Sequence, residues 1–147
     1  MHIRFATLDD ISSLLAIEKD ALTAAHWSRE QYQSACFASG TQRILLVIEE
    51  DSTLRGFLVG CAVGEEWEIE NLAITGPARR RGLGQRLLRH FLNLARGRQA
   101  VSIFLEVRES NHAARCLFEQ SGFIACGRRT NYYRNPEEDA VIYNLRG

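Results

Sequence analysis

Hydrophobic and polar residues follow two different periods along this chain, and the periods alternate from one segment to the next. Runs rich in β-branched residues and leucine, bounded by turn residues, predict strands at 2–6, 43–50, 57–63, 67–75, 101–107, 123–132 and 140–145. Apolar residues spaced three and four apart predict helices that begin near Thr7, Ser28, Leu83 and Asn111. This order of elements predicts a mixed α/β domain.

Residues at the helix ends add detail to this prediction. Ser28 and Gln31 have the spacing of a capping box, and Asn111 is placed to cap the last helix. Trp27 precedes the capping box, where it would act as a hydrophobic staple or contact a substrate. Gly122 would end the last helix in a left-handed conformation.

Two predicted strands carry polar residues at informative positions. In 101–107 the apolar residues alternate, so Glu106 is expected on the opposite face. In 67–75 the alternation slips, which indicates a β-bulge near Asn71 or Leu72.

The composition predicts one domain spanning residues 1–147. A hydrophobic content of 46% with two prolines is enough for one core. The formal net charge is zero, which argues against bulk attraction to nucleic acid or a membrane. No apolar run is as long as a membrane span, and the first residues lack the form of a signal peptide, so we expect a cytoplasmic protein.

The four cysteines, at positions 36, 61, 116 and 126, form no Cys-x-x-Cys pair. Their spacing does not indicate a zinc site, and we expect no metal cofactor. Cys61 and Cys116 lie within apolar patterns, which favours buried free thiols over a catalytic cysteine.

The segment 79–85 combines three arginines with Gly-Leu-Gly-Gln at the start of an amphipathic helix. The first N–H groups of a helix lack backbone partners and carry partial positive charge, so they can bind a phosphate. Gly82 and Gly84 would leave room for it. A dinucleotide fingerprint needs a third glycine and a Walker loop needs Gly-Lys-Ser or Gly-Lys-Thr, and neither pattern is present. A surface helix start with solvated arginines remains the alternative.

Three further segments give this loop a context: Glu-Asn-Leu-Ala-Ile at 70–74, Leu-Glu-Val-Arg-Glu-Ser-Asn at 105–111 and Leu-Phe-Glu-Gln-Ser-Gly-Phe at 117–123. Together they resemble the GNAT family of acetyl-CoA-dependent N-acetyltransferases over nearly the whole chain. Trp27-Ser28 and 129–133 are similar to its RimI branch, which acetylates the N-terminal amine of a ribosomal protein. The resemblance implies the GNAT fold, a single domain with a mixed central β-sheet flanked by helices.

The resemblance implies acetyl-CoA as co-substrate. The backbone of 72–74 would pair with the pantetheine arm and meet the oxyanion, and 79–85 would hold the pyrophosphate. Asn111 would contact the cofactor near its cysteamine end. The implied cofactor-binding residues are Leu72, Ala73, Ile74, Arg79, Arg80, Arg81, Gly82, Leu83, Gly84, Gln85, Asn111 and Phe118.

The resemblance also implies the catalytic and substrate-binding residues. Glu106 would be the general base, and Glu70 on the neighbouring strand is a second candidate. Trp27, Glu70, Tyr132 and Tyr133 would contact the acceptor. A structural role is the alternative for these residues: the glutamates could be surface carboxylates paired with arginines, and the tyrosines could pack in the last hairpin.

Phe118 departs from the RimI branch, which has a tyrosine there that is proposed to protonate the leaving thiolate. A phenyl ring has no proton to give. Three possibilities follow: Tyr132 or Tyr133 protonates the thiolate, water does so, or the thiolate leaves without an acid. Tyr133 is the catalytic candidate by resemblance. Loss of the acid need not abolish turnover, because a thiol with a pKa of about 8.5 is a tolerable leaving group.

Three functions remain open on the sequence alone. The favoured one is acetylation of a protein or peptide N-terminus by direct attack of the amine on the thioester. Acetylation of a small amine or a lysine is the second, because acidic residues at 65, 66, 68 and 70 would attract cationic amines of any size. A CoA-binding regulatory module with weak catalysis is the third. A monomer or a homodimer is expected.

Overall fold

In the computed structural model, seven strands and four helices lie within the described residues, which are 1–20, 27–38, 42–78, 82–134 and 137–146. The strands are β1 (His2–Phe5), β2 (Arg43–Glu50), β3 (Thr53–Val63), β4 (Glu66–Ile74), β5 (Ser102–Arg108), β6 (Ile124–Tyr133) and β7 (Glu138–Arg146). The helices are α1 (Ile11–Asp20), α2 (Arg29–Ala38), α3 (Leu83–Gly97) and α4 (His112–Gln120). Every predicted strand and helix is present, with its ends shifted by a few residues.

The strands form one sheet in the order β1-β2-β3-β4-β5-β7-β6. Neighbouring strands are antiparallel except for β4 and β5, which are parallel. The chain passes from β4 to β5 through α3, as a parallel connection requires. The mixed sheet flanked by helices is therefore confirmed.

Helices cover both faces of the sheet, and each face has its own apolar core. On one face α3 buries Leu87 and Phe91 against the sheet, and α4 adds Phe118 to the same cluster. On the other face α1 and α2 bury Leu14 and Tyr32. None of the helices in the described part of the chain is long and apolar enough to cross a bilayer.

The predicted signals at helix ends are confirmed. The Ser28 N–H donates to Gln31 Oε1 (2.8 Å), and the Gln31 N–H donates to Ser28 Oγ (3.2 Å). The Trp27 ring centroid lies 5.2 Å from that of Tyr32, as in a hydrophobic staple. Gly122 follows α4 with φ of 98°, a conformation that favours glycine.

The burial of Cys116 was predicted wrongly. Its side chain is exposed, because Phe118 takes the inward face of α4. Cys61 is half-buried on β3, and burial together with the charge of Glu70 raises the pKa of its thiol.

The predicted bulge is present in β4. Val59 of β3 pairs with Asn71, but the next residue, Gly60, pairs with Ile69, so Glu70 is the extra residue. Glu70 and Asn71 consequently both reach side chains on the α1 and α2 face.

The close approach of α3 to β3 at Gly60 gives a test of this packing. A carbon added to Gly60 would lie 2.3 Å from Cε1 of the fully buried Phe91. We expect Gly60→Ala to lower the free energy of unfolding by about 1–3 kcal/mol, because the ring and the strand must move apart. Gly97→Ala is the matched control, since no atom lies within 4 Å of its added carbon. Urea unfolding measures both, and equal losses would contradict the close approach.

Candidate active site

Strands β4 and β5 separate at their C-terminal ends. Their parallel pairing ends at Ile69 and Leu105, although β4 continues to Ile74 and β5 to Arg108. The backbone of 72–74 therefore borders a gap between the two strands. An extended ligand arm can add to such a strand edge through main-chain hydrogen bonds.

The Leu72 N–H faces this gap. Thr75 donates its N–H to the Arg55 carbonyl on β3 (2.8 Å), and N–H directions alternate along a strand, so the Leu72 N–H points toward β5. It donates to Oδ1 of Asn71 (3.0 Å). The side chains of Leu72 and Ala73 pack in the two cores, so the polar groups that this stretch offers a ligand are those of the backbone.

Helix α3 begins without a side-chain cap. Gly82 precedes it with φ of 78°, and the first intrahelical bond runs from the Arg86 N–H to the Gly82 carbonyl (3.1 Å). The N–H groups of Leu83, Gly84 and Gln85 therefore have no partner within the helix. Such a helix start can bind an anion.

The start of α3 lies beside the end of β4. A carbon added to Gly84 would lie 3.2 Å from Cδ2 of Leu117 on α4 and 4.0 Å from Cγ1 of Ile74. Gly84 therefore permits close packing of α3 in addition to the clearance predicted for it. The Gln85 side chain donates to Gln120 Oε1 (3.2 Å). The predicted pyrophosphate residues Arg79, Arg80 and Arg81 lie outside the described residues.

The two predicted cofactor residues near α4 differ in their surroundings. Asn111 caps the helix, because its Oδ1 accepts the Ala114 N–H (3.1 Å). Phe118 is 4% exposed and packs edge-on against Phe123 (5.6 Å between centroids), with Tyr143 at 6.5 Å. Its ring belongs to the core between the sheet and the helices α3 and α4.

Three carboxylates lie on the α1 and α2 face of β4 and β5. Glu106, as predicted, is on this face, and its Oε1 lies 2.9 Å from Nε of Arg129 on β6. Glu70 accepts two hydrogen bonds from Arg43 of β2, at 2.9 and 3.1 Å. Burial, and then the charges of Glu70 and Glu106, raise the pKa of Glu68. The face therefore carries clustered negative charge beside two arginines.

Aromatic rings extend this line of charges in both directions. The Arg43 guanidinium lies 5.5 Å from the Trp27 ring. At the other end, Arg129 lies 5.2 Å from the Tyr132 ring, which is 5.1 Å from the Tyr133 ring. Trp27 and Arg43 thus lie at one end of the carboxylate cluster, and Arg129 with the two tyrosines lies at the other.

Tyr133 is held against β5. Its ring lies 4.4 Å from the Arg108 guanidinium, which donates to Glu138 Oε1 (3.2 Å). Burial, and then the negative charge of Glu106, raise the pKa of Tyr133 to about 12. The hydroxyl therefore keeps its proton throughout the neutral range.

An irregularity in β6 sets the place of the two tyrosines. The register with β7 slips between Arg129 and Tyr133, and Asn131 has φ of 53°. The Asn131 N–H donates to Asp139 Oδ1 (2.9 Å), and this bond together with Arg128 lowers the pKa of Asp139. A carboxylate of β7 thereby stabilises the bulged segment that presents the tyrosines.

The arginines of this face had no role assigned from the sequence. Arg43, Arg108 and Arg129 come from different strands, and only Arg108 gives a local signal, because it lies two residues from Glu106 and so shares its face. Glu66, expected near the acceptor cleft, instead accepts a hydrogen bond from Ser102 at the other end of β5.

Two surface cavities are lined by residues other than Glu68, Glu70 and Glu106. The larger, about 850 Å³, is lined by residues at the β3–β4 turn and the first residues of β5. The smaller, about 370 Å³, surrounds Arg4 and Asp10. Within the described ranges, no group of three or more His, Cys, Asp or Glu residues could hold a metal ion.

Comparison with known proteins agrees with this geometry. The family model described as the acetyltransferase (GNAT) family matches residues 9–123. The chain is 34% identical to the ribosomal protein bS18-alanine N-acetyltransferase of Salmonella typhimurium, over 97% of this chain and 95% of that protein. The corresponding protein of Escherichia coli is 31% identical over 92% of this chain and 90% of its own length.

Solved structures share the fold. The crystal structure of the Escherichia coli ribosomal-protein-S18-alanine N-acetyltransferase superimposes with a TM-score of 0.86 and 29% identity, covering 99% of this chain and 92% of that one. A PaiA N-acetyltransferase from Thermoplasma acidophilum, solved in complex with coenzyme A, gives a TM-score of 0.84 at 15% identity, covering 99% and 98%. Enzymes of the matched family use acetyl-CoA. The chain therefore belongs to the acetyltransferase (GNAT) family and is an N-acetyltransferase.

Proposed function

We propose that this enzyme transfers acetyl from acetyl-CoA to the N-terminal α-amine of a protein, by direct attack with Glu106 as the general base. The observation that carries the proposal is the place of Glu106 on the sheet face between Trp27 and the tyrosine pair. This face adjoins the gap between β4 and β5, so an amine bound there would meet a thioester held in the gap.

The energy of deprotonation favours an α-amine. A peptide α-amine has a pKa of about 7.7–8.0 and a lysine about 10.4, so losing the proton at pH 7 costs about 1 kcal/mol for the first and about 4.6 kcal/mol for the second. One carboxylate, acting directly or through water, is a sufficient base for the α-amine. The neighbouring carboxylates Glu68 and Glu70 would stabilise the amine in its cationic form as it arrives.

The donor would lie between β4, α3 and α4. The backbone of Leu72, Ala73 and Ile74 would pair with the pantetheine arm, and the Leu72 N–H would exchange its present acceptor, Asn71 Oδ1, for the oxyanion. The N–H groups of 83–85, together with Arg79, Arg80 and Arg81, would hold the pyrophosphate. Asn111 and Phe118 are the proposed contacts from α4.

Tyr133 is the proposed acid for the leaving thiolate. Phe118 occupies the position of the tyrosine in the RimI branch and has no proton to give, whereas Tyr133 remains protonated and lies near Glu106. Tyr132, 49% exposed, and Trp27 would instead line the acceptor slot, with Glu70 between them.

The relatives favour a ribosomal protein that begins with alanine as the acceptor. These relatives are ribosomal protein bS18-alanine N-acetyltransferases, and the similarity covers nearly the whole chain. We infer the cytoplasm as the place of action on the same basis. A catalytically weak CoA-binding module remains the alternative, since Phe118 replaces the tyrosine.

A panel of amine acceptors tests the proposed substrate. We expect acetyl-CoA consumption with a peptide that begins with a free alanine, and at least about tenfold less with the N-acetylated peptide carrying one lysine, or with spermidine. Turnover of lysine or spermidine alone would support the small-amine alternative. Calorimetric binding of CoA, tighter than ATP or NAD, without turnover of any amine would support the binding module.

Glu106→Gln tests the base. We expect kcat/KM at pH 7 to fall about 100- to 10,000-fold, because the amide cannot accept the proton. The deficit should be smaller at pH 9, since the α-amine, with a pKa of about 7.7–8.0, is then already free. Glu109→Gln is the matched control, because Glu109 is partly exposed and is paired with Arg128, away from Glu106. A deficit that is equal at both pH values would argue against a base.

Tyr133→Phe tests the acid. We expect kcat to fall about 10- to 100-fold at pH 7.5 with little change in KM for acetyl-CoA, because the ring remains and only the proton donor is lost. Because the pKa of Tyr133 is near 12, wild-type kcat should show no loss of this acid up to pH 9. Tyr132→Phe should keep its kcat and change only the KM for the peptide. Equal kcat values for wild type and Tyr133→Phe would contradict the role.

A further inference from the structure

Glu18 is a buried carboxylate that the proposed chemistry does not use. It lies on α1, is 3% exposed, and one oxygen, Oε1, accepts three hydrogen bonds. The donors are the Trp27 N–H (2.8 Å), the Tyr32 hydroxyl (2.7 Å) and Nδ2 of Asn71 (3.1 Å). Burying a charge is costly unless it is hydrogen-bonded, and bonds to a charged acceptor are stronger than neutral ones.

The three donors belong to three different parts of the fold. Trp27 lies before α2, Tyr32 lies within α2, and Asn71 follows the bulge of β4. One carboxylate oxygen therefore joins Trp27 and α2 to the bulge. The bulge carries Glu70, so the two parts that Glu18 joins are the ones that place Trp27 and Glu70.

The orientation of the Asn71 amide follows from the charge of Glu18. A carboxylate accepts hydrogen bonds and cannot donate them, so the NH₂ group of Asn71 must face Glu18. Its carbonyl oxygen is then turned to the Leu72 N–H, at 3.0 Å. An amide at position 18 could turn either its oxygen or its NH₂ group to Asn71, so it would not impose this orientation.

We propose that Glu18 is a positioning residue for the acceptor, holding Trp27 and the β4 bulge in the arrangement that presents the amine to Glu106. This inference rests on the proposed function. Glu18 acts without touching the substrate, and its effect is therefore expected in the binding of the peptide more than in the binding of acetyl-CoA.

Glu18→Gln and Tyr32→Phe form a matched pair for the test. The first keeps the shape of the side chain but removes its charge, and because all three donors bind the same oxygen, it weakens the three hydrogen bonds together. The second removes one donor but keeps the ring that packs against Trp27. Both remove part of the same buried network, so a merely structural role would affect them alike.

We expect Glu18→Gln to raise KM for a peptide beginning with alanine about tenfold, with KM for acetyl-CoA within about twofold of wild type. Tyr32→Phe should keep both KM values within about twofold. The assays are run well below both unfolding midpoints. An unchanged peptide KM in Glu18→Gln, or the same rise in Tyr32→Phe, would overturn the proposal.

Tryptophan quenching gives a readout that does not depend on activity. The chain has two tryptophans, so in a Trp67→Phe background the fluorescence comes from Trp27 alone. We expect acrylamide to quench Trp27 more strongly after Glu18→Gln and not after Tyr32→Phe; equal quenching in the Glu18→Gln protein and its parent would overturn the positioning role. If the wild-type enzyme acetylates no peptide, the proposed function fails, while the quenching comparison still decides whether Glu18 positions Trp27.

Discussion

Strand β4 carries one extra residue at Glu70, and the two proposed substrate sites both depend on this insertion. The pairing with β5 ends at Ile69, immediately before the extra residue. Beyond it, Leu72 packs on the α3 face while Asn71 reaches α1 on the other. A bulge bends and twists its strand, so the backbone edge proposed for the cofactor and the side chains proposed for the acceptor arise from one irregularity.

The ion pair between Glu106 and Arg129 is placed so that a substrate amine could take the position of the arginine. Arg129 is 56% exposed at its side chain, whereas the side chain of Glu106 is 14% exposed, so the arginine can be solvated without its partner but the carboxylate needs another cation in its place. Arg129 can therefore move away when a cationic amine takes its place beside Glu106, which would leave Glu106 available for its proposed role as the base. Arg43 is less exposed than Arg129 and donates two hydrogen bonds to Glu70, which suits a wall of the site more than a reacting group.

Behind these exchangeable pairs lies a network with little freedom. The Glu18 carboxylate is buried and bonded to three donors, so breaking any one of them leaves a charge less well satisfied. On the opposite side, Asp139 stabilises the bulged segment that carries Tyr132 and Tyr133. The proposed acceptor site thus has an ion pair with one exposed partner at its centre, and hydrogen-bonded carboxylates support it at both ends.

The sequence by itself determined the features that depend on near neighbours along the chain. The capping box of Ser28, the staple of Trp27 and the face of Glu106 follow from spacings of one to four residues, and the ordered motifs identified the family. Phe118 was visible as a departure, but its burial in the core was not.

Only the tertiary structure decided which distant side chains meet. Arg43 and Glu70 are 27 positions apart, and Glu18 and Asn71 are 53 apart. Such contacts depend on strand register and on how helices dock, and a shift of one residue turns every side chain to the other face. Periodicity along the chain fixes the faces of each element, whereas the register that joins those elements is set by packing of the whole domain.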